Sequence, residues 1–255
     1  MKRTIQIGNV DVSRIGLGTN RLRDTDENVE FIRAAVDAGV RMIDTAHLYT
    51  DGESEKTIGR ALSSTRSDVV VATKGGYQSG TPETLRQEIE TSLARLGVDH
   101  LALYYLHRVD SDVPIEESLG AIKEYVDRRV IERVGISKVD IPLIERARKV
   151  LPITAVQNEY NIDERTYDDV VDYCAREGIV FVPYYPLRAE SGRSLRATAK
   201  RHGATTRQVM LAWLLERSPT VLPIPGTLSI EHLRQNLGAL SIELSDADFE
   251  AIAGD

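Results

Sequence analysis

The stretch Met42-Ile43-Asp44-Thr45-Ala46-His47-Leu48-Tyr49 runs from an apolar segment directly into a polar loop. On a strand, Met42 and Asp44 point to the same face because alternate side chains share a face. Asp44 is therefore expected to point inward where the strand ends. An isolated buried carboxylate is too costly to keep, so it must be paired with a cation, hydrogen-bonded or protonated. The rest of the chain must supply that partner.

Short apolar segments alternate with amphipathic helical segments along the chain. The predicted strands are 15–19, 40–44, 68–73, 99–106, 130–136, 153–157, 179–184 and 221–225. The predicted helical segments are 26–38, 54–63, 82–96, 116–128, 141–150, 165–177, 194–217, 230–240 and 246–253. Strands that alternate with helices form right-handed parallel crossovers. Eight of them over 255 residues predict an α/β fold, a closed (β/α)8 TIM barrel, in preference to a doubly wound sheet.

The two ends of the chain add to this barrel. Thr4–Ile7 and Val10–Ser13 flank Gly8-Asn9, a pair suited to a tight turn, which predicts an N-terminal β-hairpin that closes the bottom of the barrel. The last two helical segments follow the eighth strand as C-terminal helices. No linker or low-complexity segment divides the sequence, so we expect one domain spanning residues 1–255.

Composition excludes several classes of protein. A formal net charge of −7 argues against a nucleic-acid binder, which usually has a basic face. No apolar run approaches the roughly 20 residues of a membrane helix, and the first residues lack the apolar core of a signal peptide. Cys174 is the only cysteine, so no intrachain disulfide forms. We expect a cytoplasmic protein, and nothing in the sequence requires more than a monomer.

Polar side chains occur where several predicted strands end. Function in a barrel of this kind lies at the carboxyl ends of the strands. Asp44, Lys74 and His107 close the second, third and fourth strands, and Tyr49 follows in the loop after the second. A single Lys or His at such a position is usually a solvated strand end. Four such residues at one rim instead predict a catalytic site.

These four residues resemble the catalytic tetrad of the aldo-keto reductases. The resemblance extends over nearly the whole chain and includes Gly16-Leu17-Gly18-Thr19, Gly135-Ile136-Ser137, Gln157-Asn158-Glu159-Tyr160-Asn161, Pro183-Tyr184-Tyr185-Pro186-Leu187 and Ile224-Pro225-Gly226-Thr227. It implies an NAD(P)H-dependent oxidoreductase that reduces aldehydes or ketones, with the cofactor extended across the strand ends. No Gly-rich dinucleotide fingerprint follows a strand, so a Rossmann fold has little support.

The chemistry of carbonyl reduction explains why these residue types occur together. Hydride transfer to a carbonyl carbon leaves negative charge on the oxygen, and Tyr49 would donate the proton that follows. Lys74 would lower the pKa of the phenol, since a nearby ammonium favours the phenolate. Asp44 would pair with Lys74, and His107 would hydrogen-bond the carbonyl oxygen. No metal is required.

The resemblance also implies which residues bind the cofactor. Ser137 and Gln157 would contact the carboxamide, Tyr184 would stack on the nicotinamide, and Leu187 would lie near the pyrophosphate. The remaining predicted contacts are Gly18, Thr19, Asp44, Pro186, then Gly226 and Thr227 at the adenosine phosphate, and Gln235 and Asn236 at adenine. One departure is Lys138, which replaces an asparagine often found there and leaves the second carboxamide contact open.

Three other functions fit part of this pattern. A metal-dependent barrel hydrolase would use Asp44, His47, His107 and Lys74, but no His-x-His pair ends an early strand. A Schiff-base enzyme would use Lys74 alone as its nucleophile. A non-catalytic subunit that senses nicotinamide nucleotides would need the cofactor contacts but not the complete tetrad.

Substrate and cofactor preference depend on loops and on charge at the adenosine end. The loops are short, and several segments look most like bacterial reductases of pyridoxal or general aldehydes, so we expect pyridoxal or small aromatic aldehydes. Gly226 and His232 stand where part of the family has a lysine and an arginine for the 2′-phosphate. We still expect NADP(H) to be preferred over NAD(H), by about ten- to a hundredfold, since other groups favour an anion there. Those groups are Thr227, the start of the Ile230 helix, and Arg188, Arg193 or Arg234.

Overall fold

The computed structural model describes residues 3–63, 68–190 and 192–254. Met1, Lys2 and Asp255, which the predicted domain 1–255 includes, lie outside the described residues. The chain begins with an antiparallel hairpin of β1 (Thr4–Ile7) and β2 (Val10–Ser13). Ile7 and Val12 of this hairpin pack in one cluster with Met42 and other inward-facing strand residues. The hairpin therefore covers one end of the barrel interior, as predicted.

The barrel wall is a parallel sheet of seven strands whose spatial order follows the chain. Each strand pairs with the next one along the sequence, as expected for repeated right-handed crossovers. The strands are β3 (Leu17–Gly18), β4 (Met42–Asp44), β5 (Val70–Gly75), β6 (Leu103–Leu106), β7 (Val134–Ser137), β8 (Ala155–Gln157) and β9 (Val180–Phe181).

The predicted eighth strand closes the ring without forming a regular ladder. The segment 221–226 makes isolated parallel bridges to β9 on one side and to β3 on the other. Pro223 and Pro225 have no N–H group, so the ladder cannot continue through them. Their carbonyls instead accept hydrogen bonds from the N–H groups of Gly16 and Gly18, at 3.0 and 3.3 Å. These contacts complete a (β/α)8 barrel.

Helices cover the outside of the wall and fill most predicted positions. Within the described ranges, no helix is both long and apolar enough to span a membrane. The helices are α1 (Asp26–Asp37), α2 (Glu53–Leu62), α3 (Pro82–Leu96), α4 (Ile115–Asp127), α5 (Ile141–Arg148), α6 (Asp168–Glu177), α7 (Arg193–Arg201), α8 (Thr206–Arg217), α9 (Ile230–Gly238) and α10 (Asp246–Ala253).

The prediction of one helical segment over 194–217 was wrong, because two helices, α7 and α8, occupy it. Gly203 takes a left-handed conformation with φ 59°, which ends the first helix at little steric cost. Thr205 then begins the second with a capping box, since its hydroxyl accepts from the N–H of Gln208 and the Gln208 side chain accepts from the N–H of Thr205.

Candidate active site

Asp44 and Lys74 form a buried ion pair at the carboxyl ends of β4 and β5. The Lys74 ammonium donates to Asp44 Oδ1 at 2.5 Å, to the Thr45 carbonyl at 2.8 Å and to the Tyr49 hydroxyl at 3.3 Å. Lys74 is fully buried and Asp44 is 1% exposed. The second Asp44 oxygen accepts a hydrogen bond from Gln157 Nε2 at 2.9 Å. The expected partner of Asp44 is therefore Lys74, and Gln157 satisfies the other oxygen.

The charge state of Lys74 follows from these contacts. Burial by itself lowers the pKa of Lys74, but attraction to Asp44 and Tyr49 outweighs burial and leaves the pKa above its ordinary value. The amine is therefore protonated at neutral pH. A Schiff-base nucleophile must be a neutral amine, so this environment disfavours that alternative.

Tyr49 begins a short 3₁₀ turn, Tyr49–Gly52, directly after the loop that follows β4. Thr50, Asp51 and Gly52 all have positive φ, at 48°, 55° and 86°. Such backbone is uncommon for residues other than glycine and persists only where the surroundings hold it. The Thr50 hydroxyl does so by donating to the Leu22 carbonyl at 2.6 Å. The turn thereby fixes the position of the Tyr49 ring.

Buried polar contacts behind the turn support the same loop. Arg95 donates to the His47 carbonyl at 2.8 Å and to the fully buried Glu55 at 3.3 Å. Glu55 also accepts a hydrogen bond from Thr73, the neighbour of Lys74, at 2.6 Å. These hydrogen bonds join the loop to β5. His47 contributes through its backbone carbonyl, which helps to hold the loop in position.

The pKa of Tyr49 differs from the expectation. Burial raises it above its ordinary value, and the lowering by Lys74 is the smaller effect. Lys74 therefore lowers the pKa of Tyr49 as predicted, but burial prevents the expected net fall of the pKa toward neutral pH. A phenol in this state keeps its proton at neutral pH, which suits a group that donates a proton.

His107 follows β6 and completes the predicted set. Its backbone N–H donates to the Gly75 carbonyl at 2.8 Å, and its ring meets the rings of Tyr49 and Tyr77 edge-on, at 5.9 and 5.0 Å between centroids. Burial and the nearby cations, first Lys74, lower the pKa of His107 to about 2. The imidazole is therefore neutral at pH 7, and its Nδ1 has no hydrogen-bond partner among the described residues.

This neutral histidine predicts a pH-dependent loss of stability. An unfolded His titrates near 6.5, so between pH 6.5 and 2 the unfolded chain takes up a proton that the folded chain refuses, and stability falls as pH falls. From pH 7 to 5 the native protein should lose about 2 kcal/mol more unfolding free energy than His107→Asn. Urea unfolding at both pH values measures this, and equal losses would contradict it.

The four residues lie beside or beneath an open cleft of about 1080 Å³ at the carboxyl ends of the strands. This volume is slightly above the usual range for small-molecule sites, about 300–1,000 Å³. Tyr49 and His107 line the cleft, whereas Lys74 lies beneath it. The predicted cofactor residues that line it are Gly18, Thr19, Asp44, Ser137, Gln157, Tyr184, Pro186, Leu187, Gly226 and Thr227.

Several predicted contacts lie elsewhere. Gln235 and Asn236 are on α9, outside the cleft lining, and Asn236 is 4% exposed. Among the candidate phosphate-binding arginines only Arg188 lines the cleft, and Arg193 and Arg234 do not. Gln235, Asn236, Arg193 and Arg234 therefore remain predictions without support from this geometry.

The residues that line the cleft and that sequence reasoning missed include Tyr77 and Arg207, and the role of Lys138, which also lines it, was left open. Tyr77 follows β5 as Tyr49 follows β4, so the same strand-end rule could have found it. Arg207 lies at the first turn of α8, where the Thr205 cap was a usable signal. In the described part of the chain, no three His, Cys, Asp or Glu side chains are grouped to hold a metal ion.

The sequence of this chain is similar to a protein-family model and to known oxidoreductases. The model of the Aldo/keto reductase family matches residues 14–193 and 187–254. An uncharacterized oxidoreductase of Schizosaccharomyces pombe is 34% identical, over 96% of this chain and 87% of that protein. Pyridoxine 4-dehydrogenase of Escherichia coli is 33% identical, over 98% of this chain and 97% of that protein.

Solved structures share the architecture over the whole chain. A thermostable aldo-keto reductase in complex with the inhibitor epalrestat superposes with a TM-score of 0.93 at 33% identity, covering 98% of each chain. An aldo/keto reductase of Klebsiella pneumoniae in complex with NADP and acetate gives a TM-score of 0.90 at 30% identity, over 99% of this chain and 94% of that chain.

Proposed function

Because the chain belongs to the Aldo/keto reductase family, we propose that it reduces aldehydes or ketones to alcohols with a nicotinamide cofactor and with Tyr49 as proton donor. The observation that carries this proposal is the hydrogen-bonded series Gln157, Asp44, Lys74 and Tyr49, which ends at the cleft beside neutral His107. A purely regulatory nucleotide-binding subunit would not need this complete series, so its presence favours an enzyme.

Each residue of the series has a defined task. The cofactor, when bound, supplies the hydride. Tyr49 gives its proton to the developing alkoxide, and Lys74, 3.3 Å from the hydroxyl, stabilises the phenolate that remains. Asp44 keeps the ammonium in place. His107 is neutral, so it can donate a hydrogen bond to the carbonyl oxygen without holding a competing positive charge.

The cleft fits a nicotinamide dinucleotide in the way the resemblance implies. Ser137 and Gln157 are nearly fully buried polar side chains on its floor, positioned to meet a carboxamide. Tyr184 lines the adjoining wall, and Gly226 and Thr227 line the part next to β3. The Klebsiella pneumoniae neighbour in complex with NADP supports a nicotinamide cofactor.

We propose NADPH as the preferred cofactor, with Arg207 as the main cation for the 2′-phosphate. Arg207 is exposed and lines the cleft together with Thr227 and His232. A charge-assisted hydrogen bond contributes roughly 1.5–3 kcal/mol, or about ten- to a hundredfold. We therefore expect kcat/KM for NADPH to exceed that for NADH by this factor.

The test compares Arg207→Met with Arg176→Met, which removes the same charge from an exposed arginine on α6, outside the cleft lining. Arg207→Met should lower kcat/KM for NADPH about tenfold and leave NADH unchanged, whereas Arg176→Met should change neither. Parity of the two cofactors in the native protein would mean that no effective phosphate site exists.

We further propose pyridoxal or small aromatic aldehydes as substrates. We also propose that the protein is a cytoplasmic monomer with a single domain that spans 1–255. The identity with pyridoxine 4-dehydrogenase across nearly both whole chains supports the substrate class, and one chain supplies the whole described site. A screen of NADPH oxidation with pyridoxal, aromatic aldehydes, ketones and dicarbonyls tests the activity. Cofactor binding without turnover of any carbonyl would instead favour the regulatory alternative. Light scattering tests the monomer.

A further inference from the structure

Lys138 directly follows β7 in a backbone conformation that lysine rarely adopts. Its φ is 59°, and its N–H donates to the Gln157 carbonyl at 3.1 Å. Left-handed backbone is much easier for Gly or Asn than for a long side chain. The backbone therefore does not favour a lysine at this position, and a role for its side chain has to follow from what it contacts.

The Lys138 side chain lies at the His107 end of the cleft. Its ammonium is 5.0 Å from the centroid of the Tyr77 ring, and that ring meets the His107 ring at 5.0 Å. The guanidinium of Arg108 is 5.3 Å from the same Tyr77 centroid. Two cations thus contact the aromatic side chain that adjoins the residue expected to hold the carbonyl.

The positive charge at this end is poorly compensated. Across the described ranges, no carboxylate lies within 4.0 Å of the Lys138 ammonium. The Nε of Arg108 is buried and has no hydrogen-bond partner there. The Asp110 carboxylate, which accepts from the N–H groups of Gly80 and Asp112, offsets part of the Arg108 charge but does not pair with Lys138.

Neighbouring groups do not neutralise this end of the cleft. Lys74 compensates Asp44, and His107 stays neutral because burial and the surrounding cations, Lys138 and Arg108 among them, lower its pKa. A carbonyl compound entering beside His107 therefore meets a positive field from two side chains. Lys138 is exposed and Arg108 is half-buried, so water and salt screen this field, and an anion gains most from it by direct contact with Lys138.

We propose that the enzyme prefers, over pyridoxal and other neutral carbonyl compounds, those that carry a carboxylate or phosphate group, which Lys138 contacts while His107 and Tyr49 hold the carbonyl. Arg108, which does not line the cleft, adds to the positive field at longer range. The proposal rests on the reductase function proposed above and names its substrate class. Guanidinium and ammonium groups are the side chains that recognise both kinds of anion. Tyr77 would hold the Lys138 ammonium at the wall of the cleft.

Matched substrates test the carboxylate and phosphate arms separately. 4-Formylbenzoate and its methyl ester share the reacting aldehyde and differ in charge, and glyceraldehyde 3-phosphate and glyceraldehyde form the second pair. The native protein should prefer the anionic member of at least one pair by tenfold or more in kcat/KM, and the preference should fall as salt is added. No preference in either pair would overturn the proposal.

Variants assign the preference to the named residues. Lys138→Met should lower kcat/KM for the preferred anion about tenfold, Arg108→Met should lower it less, and both should leave the neutral partner within twofold. Lys123→Met removes an exposed lysine on α4 that pairs with Asp127, and it should change neither substrate. If Lys138→Met instead raised KM for the cofactor and slowed both members equally, the lysine would serve the cofactor and the proposal would be wrong.

A binding measurement separates this proposal from the proposed function. If no carbonyl compound is turned over, the reductase function fails, and calorimetric titration with terephthalate or inorganic phosphate still examines the anion site. Binding that is lost in Lys138→Met and kept in Lys123→Met would support the site without the reaction. Absence of binding in the native protein, with or without NADPH, would contradict it.

Discussion

Replacing Tyr49 by Phe is expected to lower kcat for aldehyde reduction by about a hundred- to ten-thousandfold, the usual scale of general-acid catalysis. Phe keeps the ring that meets His107 edge-on and removes only the hydroxyl that accepts a hydrogen bond from Lys74. The cleft keeps its shape, so NADPH should bind with nearly unchanged affinity. The combination of lost turnover and retained binding identifies a proton donor.

The measurement uses single-turnover kinetics beside fluorescence titration with NADPH. Tyr167→Phe is a matched control, since it removes a phenolic hydroxyl from a residue that does not line the cleft. It should keep full activity. Near-native turnover in Tyr49→Phe would show that another group supplies the proton, and the assignment of Tyr49 would have to be abandoned.

The candidate catalytic pair Asp44 and Lys74 was predictable because two regular patterns locate it. Alternation along a strand gives Asp44 and Lys74 the facing of the apolar residues in their strands, and parallel strands of a barrel all end at the same rim. The structure confirms that Asp44 and Lys74 meet, at 2.5 Å. Neither pattern depends on loop conformation, so the sequence was sufficient to place the pair.

The fold differs from the prediction at two places where a local backbone preference opposes the pattern of apolar residues. The apolar pattern of 194–217 continues through Gly203 and Thr205, but a left-handed glycine and a capping box end one helix and begin another. Likewise, 221–226 occupies the place of a strand while Pro223 and Pro225 remove the donors that a ladder needs. The glycine with its following cap and the two prolines are visible in the sequence, but the prediction gave more weight to the pattern of apolar residues.

The net shift of a pKa could not be predicted from residue types where burial and a nearby charge act in opposite directions. The sequence indicates that a cation lies near Tyr49, but only the structure shows that burial has the larger effect on its pKa. The cluster of Tyr77, Arg108 and Lys138 was also hidden, because three separate loops bring these residues together. Such contacts depend on loop geometry, which has no periodic signature.

Replacing Lys74 by Met is expected to reduce both activity and stability. The Met side chain fills a similar space but leaves Asp44, 1% exposed, without its cation. Removing one partner of a buried ion pair typically costs about 3–5 kcal/mol, because the other charge stays buried and unpaired. Turnover should fall about a hundredfold or more, since nothing remains to stabilise the phenolate of Tyr49. Urea unfolding and a pH–rate profile measure the two effects.

The double variant Lys74→Met with Asp44→Asn separates the stability effect from the catalytic one. The second substitution replaces the carboxylate by a neutral amide, so most of the lost unfolding free energy should return, while turnover should stay low because the ammonium is still absent. Recovery of stability without recovery of activity would show that Lys74 acts on Tyr49 as well as on the fold. If Lys74→Met alone kept the native turnover and pH–rate profile, Lys74 would be a structural residue and the coupling to Tyr49 would be wrong.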